Sequence, residues 1–123
     1  YSGLLGFGIA GRSLNQGSEQ DRLDGLPACQ VDVVALAPAA VATPHVELLH
    51  YRTPPGRTSS AAVRANDVAS VRQVHKVDDL EALATRLHGA GVAFVSPGVV
   101  TLKDGGRAAA VRDPDGHMIV LMA

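Results

Sequence analysis

The chain has 123 residues, 46% of them hydrophobic and 19% charged, with a net charge of −1. That is enough for one domain with its own core, and too apolar a mixture to stay disordered. The balanced charge and the lack of a basic run argue against a nucleic-acid surface, and an aromatic content of 3% argues against a base-stacking platform. Apolar stretches such as Val33 to Val41 fall far short of a membrane span.

Along the chain, Ser2 to Phe7 reads as the tail of a helix stopped at Gly6. A strand is expected over Phe7 to Leu14, and the polar segment Asn15 to Asp24 reads as a loop or wide hairpin connection. The single cysteine, Cys29, rules out an internal disulfide and fits a reducing, cytoplasmic setting. With no supporting base adjacent in sequence, it reads as a small buried apolar residue. Val31 to Leu36 is rich in β-formers and closed by Pro38, and His45 to Tyr51 follows as another strand, stopped by Thr53-Pro54-Pro55-Gly56.

Small and polar residues dominate 57–67, the best linker candidate, followed by a strand over Val68 to Val77. The clearest helix comes next. Asp78 and Glu81 stand in capping-box spacing, and Leu80, Leu83, Ala84 and Leu87 form one apolar stripe that ends at Gly89 and Gly91. Val92 to Val95, Val99 to Leu102, Ala108 to Arg112 and His117 to Met122 are short strand candidates. Turns at Lys103-Asp104-Gly105-Gly106 and Asp113-Pro114-Asp115-Gly116 separate the later ones. The two halves thus repeat one order of elements. Leu5-Gly6-Phe7 aligns with Ala90-Gly91-Val92, and Val46-Glu47-Leu48-Leu49 with Ile119-Val120-Leu121-Met122. The chain opens at Tyr1 with neither an initiator methionine nor a signal-peptide pattern, so residues upstream are expected.

Four landmarks in this order carry a resemblance: Tyr1-x-x-Leu4-Leu5-Gly6-Phe7; Val46-Glu47-Leu48-Leu49-x-Tyr51-x-x-Pro54-x-Gly56; Val77-Asp78-Asp79-Leu80 with Gly89-Ala90-Gly91-Val92; and Asp113-Pro114-Asp115-Gly116-His117-x-Ile119. The chain resembles the vicinal oxygen chelate superfamily, the group of glyoxalases, bleomycin-resistance proteins and extradiol dioxygenases. The resemblance implies an α+β fold of two βαβββ modules, 1–56 and 68–123, joined by the 57–67 linker into one compact domain. Their mixed sheets would curl into a cup, with the first strand of the first module missing. It also implies a homodimer.

In metal-dependent members the cup holds a divalent ion through one residue from the first and last strand of each module. Carried onto this chain, Glu47 matches the first glutamate, the second-module histidine falls at Arg72, and the second glutamate falls at Val120. A first-row ion wants roughly three or four N, O or S donors, and neither a guanidinium nor valine supplies one. No metal or other cofactor is therefore expected, with a divalent metal kept as the alternative, in a shifted register using His45, His75 or His117.

Strand alternation sends His45, Glu47, Leu49 and Tyr51 to one face, with Arg72, Val74, Lys76, Met118, Val120 and Met122 lining the cup from the second half. The candidate ligand-binding set is accordingly His45, Glu47, Tyr51, Arg72, Val120 and Met122. Glu47 and Arg72 would pair structurally, or Arg72 would meet an anionic or carbonyl-bearing ligand with its fork of donors. His45 and Tyr51 would orient a polar ligand or simply line the cup. The expectation is a protein that binds a small organic molecule. The alternatives are a metal-dependent lyase, isomerase or dioxygenase of the same superfamily, and an interaction module whose cup is filled by its own side chains. No nucleic-acid or membrane partner is expected.

Overall fold

The computed structural model describes residues 1–39, 45–57, 64–68 and 70–123, and the chain separates into two compact units, Tyr1–Thr58 and Ser59–Ala123. In the first unit a helical turn, α1 (Ser2–Leu5), stops at Gly6, whose left-handed φ of 75° suits glycine. Then come β1 (Gly8–Gln16), α2 (Ser18–Asp24), β2 (Gln30–Ala37) and β3 (Val46–Thr53). The three strands form an antiparallel sheet in the order β1-β2-β3.

The connection expected to be a loop at Asn15 to Asp24 is instead the end of β1 followed by α2. Sequence periodicity misses this helix because its only large apolar residue, Leu23, is 79% exposed. Polar contacts define it. Gln20 Nε2 donates to Asp24 Oδ2 across one turn (2.8 Å), and Gly25, at φ 66°, ends the helix.

The second unit runs β4 (Arg72–Lys76), α3 (Leu80–Gly89), β5 (Val100–Thr101), β6 (Arg107–Arg112) and β7 (Met118–Met122). Its sheet has the order β4-β7-β6-β5, with β4 parallel to β7 and the other pairs antiparallel. The stripe of α3 is buried at Leu80, Leu83 and Leu87, and α3 packs against β6. One sheet face supplies Ala109, Val111, Ile119 and Leu121, all buried.

Several boundaries differ from the sequence reading. The strand expected from Val68 begins only at Arg72. Upstream of it, the Asp67 carboxylate accepts the Arg64 amide (2.7 Å) and pairs with the Arg64 guanidinium, which makes a turn instead. Asp79, not Asp78, caps α3, accepting the Ala82 amide at 2.9 Å. The Val92–Val95 candidate is reduced to a single bridge, Phe94 to Val111, and β5 to a two-residue pair. In the last turn, Asp113 Oδ1 accepts the amides of Asp115 (3.0 Å) and His117 (2.8 Å), while Arg112 Nη1 donates to the Gly116 carbonyl (2.6 Å). Asp-Pro-Asp-Gly is therefore a self-bonded turn, and Asp113 is committed to it.

Candidate functional site

Register decides which side chains share a face in the first unit. Gly11, Ala35 and Glu47 align across β1, β2 and β3, followed by Ser13, Val33 and Leu49, then Asn15, Val31 and Tyr51. This Glu47 face has two halves of different character. At one end a pocket of about 220 Å³ is lined by Gly11, Arg12, Ser13, Val33, Ala35 and Glu47. Glu47 Oε1 lies 3.2 Å from His45 Nε2, and both side chains are about half exposed (51% and 43%).

The other end is covered. Cys29, Val31 and Val33 form a buried cluster against which Leu26 and Tyr51 pack. Asp24 Oδ2 accepts from Gln20 Nε2 (2.8 Å), Tyr51 Oη (3.2 Å) and Cys29 Sγ (3.3 Å). The hydrogen bond from Gln20, joined by those from Cys29 and Tyr51, holds the Asp24 carboxyl below its ordinary range. Burial first, and then the hydrogen bond to Asp24 and its charge, push the Cys29 thiol up, so while covered it serves as a protonated packing group. The Tyr51 phenol is raised by burial first, and then by the Asp24 charge and hydrogen bond. Tyr51, expected to meet a ligand, thus has its hydroxyl engaged by Asp24.

On the opposite face, Arg52 grips Asp32 with two bonds of 2.6 Å, and this guanidinium holds the Asp32 carboxyl below its ordinary range.

In the second unit the parallel register sets Arg72, Val74 and Lys76 beside Met118, Val120 and Met122, the face that alternation predicts. Arg72 Nη2 donates to the Ala65 carbonyl at 2.8 Å, while Val74 stands largely exposed. His75 lies on the α3 side beside Gln73 Oε1 (3.1 Å), and burial lowers its pKa. Sequence reading missed a larger groove of about 480 Å³ between α3 and the following loop, where Glu81, Thr85 and His88 face Phe94, Ser96 and Pro97. The i, i+4, i+7 spacing of those α3 residues was the available signal. Sequence reading misses Asp24, the hub of the covered half, because α2 carries no apolar stripe.

The donor set does not fit a divalent-metal centre. Among the described residues no group of three or more His, Cys, Asp or Glu converges. Glu47 has His45 beside it, whereas the counterpart positions in the second unit are Arg72 and Val120.

The glyoxalase/bleomycin resistance protein/dioxygenase superfamily matches residues 1–121, and the chain belongs to it. A glyoxalase family protein from Bacillus cereus has a similar structure, with 23% identity, a TM-score of 0.80, and coverage of 94% of this chain and 76% of that one. A glyoxalase family protein from Enterococcus faecalis is 17% identical, with a TM-score of 0.62 over 100% of this chain and 82% of that one. TnmS3, an antibiotic binding protein from Streptomyces sp. CB03234, is 25% identical, with a TM-score of 0.60 over 99% and 78%. No curated protein matches the sequence.

Proposed function

We propose that this chain binds a small organic molecule without a bound metal, and that the Glu47 face of the first unit and the Arg72–Val120 face of the second each carry ligand-binding residues. The observation that carries this reading is the pair of residues at the second unit's counterpart ligand positions. Arg72 and Val120 lie on one face of adjacent strands, where they offer a guanidinium fork and an apolar wall instead of two metal donors. Such a face suits an apolar body bearing an anionic or carbonyl group. The likeness to TnmS3, an antibiotic binding protein, supports binding over turnover. In this reading the protein is a cytoplasmic homodimer.

Isothermal titration and thermal-shift screening with aromatic carboxylates test the proposal. Micromolar or tighter binding is expected, weakened at least about tenfold by Arg72→Ala, the loss expected for hydrogen bonds to a charged group. Absence of stabilisation by every such compound counts against the proposal. The metal-dependent alternative rests on His45 Nε2 and Glu47 Oε1, two donors 3.2 Å apart. Elemental mass spectrometry that found about one equivalent of Fe, Mn, Ni or Zn, lost in Glu47→Ala, would favour it.

A further inference from the structure

The covered half of the Glu47 face is roofed by an element that has little holding it there. α2 buries none of its own residues, and Leu23 projects from it 79% exposed. Yet the segment around it shields Cys29 and Val31, which are 1% and 0% exposed. The ties are polar. Asp24 Oδ2 accepts from Tyr51 Oη (3.2 Å) and Cys29 Sγ (3.3 Å). Asp21 accepts the amides of Cys29 (2.6 Å) and Ala28 (3.2 Å). Glycines with positive φ flank the helix, Gly17 at 99° and Gly25 at 66°. A short helix with few apolar contacts and two glycine ends belongs to the low-stability class from which lids are drawn.

We infer that α2 is a lid over the far half of the Glu47 face, and that the ligand site lengthens along β3 when the lid swings away. This rests on the binding reading of that face. With the lid shut, the pocket beside Glu47 is about 220 Å³, below the ~300–1,000 Å³ of most ligand sites. At the base of the lid a second hollow of about 470 Å³ is lined by Gln16, Gly17, Asp21, Ala28, Cys29 and Gln30. Opening uncovers Val31, Val33 and Tyr51 in line with Leu49 and Glu47. From Glu47 to Tyr51 this strip runs about 13 Å, at roughly 3.3 Å per residue. The ligand class it fits is an elongated apolar or aromatic molecule. Its hydrogen-bond-donating end would reach Glu47 and Ser13, and its body would lie over the valines.

Cys29 is the chain's only cysteine, which makes it a built-in reporter. The experiment is the labelling rate of the native full chain with an aromatic disulfide reagent, measured across low urea concentrations. A lid gives labelling nearly independent of urea and faster than global unfolding. Tyr51→Phe, which removes one tie, should accelerate it roughly three- to tenfold. Arg52→Ala, on the opposite face, should alter labelling only as far as it alters global stability.

Labelling that follows global unfolding in all three proteins, with the full urea dependence, overturns the lid. The assay uses no ligand. Lid opening in a protein that binds none of the screened carboxylates would sink the binding reading and leave the lid standing. Binding without lid opening would do the reverse.

Discussion

Asp24 shows how much one short side chain can organise. One of its oxygens collects an amide, a phenol and a thiol drawn from α2, β3 and the residue just before β2. The pH dependence follows from its sign. Carboxyls held below their ordinary range, as at Asp24 and Asp32, contribute stability that is complete above that range and lost as the pH falls through their depressed values. Cys29 and Tyr51 are raised, so their contribution is complete below the ordinary thiol and phenol values and fades as the pH climbs past them. Urea midpoints measured across the pH scale should therefore fall at both ends. Asp24→Asn should flatten the acid limb, and an unchanged acid limb in that variant would contradict the hub. The sequence reading saw Cys29 as a small buried apolar residue, and so it is. It could not see Tyr51 turned toward Asp24, because their partnership joins residues 27 positions apart through a helix that has no apolar stripe.

Among the elements, α3 was the most legible and α2 the least, for opposite physical reasons. The α3 stripe at Leu80, Leu83 and Leu87 meets a sheet, so burial and periodicity agree. Leu83→Ala should cost about 2–5 kcal/mol in chemical unfolding, as large-to-small core changes do. Asp79→Ala should cost about 1 kcal/mol through the lost cap on Ala82, while Asp78→Ala should cost far less. Equal losses at the two aspartates would restore the cap one residue upstream. The β5 and Phe94 segments make less strand than their Val and Phe content suggests: Val100 and Thr101 pair with β6, and around Phe94 the Ala93 carbonyl and the Val95 and Ser96 amides bond to Arg112 and Ala110 of β6.

For the whole molecule, family and fold class were readable because four landmarks recur in order, and turns such as Asp-Pro-Asp-Gly keep their chemistry wherever they stand. The faces were readable too. Alternation groups Arg72, Val74 and Lys76 on one face of their strand and Met118, Val120 and Met122 on one face of theirs, and the parallel register sets the two groups side by side. What alternation could not supply was each side chain's partner. The Glu47 carboxylate meets His45, just ahead of its own strand, and the Arg72 guanidinium meets the Ala65 carbonyl. Both contacts depend on local geometry that residue type does not encode.

The parallel pairing of β4 with β7 carries a consequence for the order in which a ribosome delivers this chain. β1, β2 and β3 pair with their neighbours in sequence, so the first sheet can form as it is made. The second sheet is different. Arg72–Lys76 has no strand beside it until Met118–Met122 arrives, and β7 is also the main partner of β6. Such distant pairing must wait for the late segment, leaving the buried faces of α3 and β6 open meanwhile. Stalled nascent chains with β7 still inside the ribosomal tunnel should be protease-sensitive across 72–112, and should become resistant once β7 emerges. Resistance before that point would mean that helix and hairpin can hold together without their central strand.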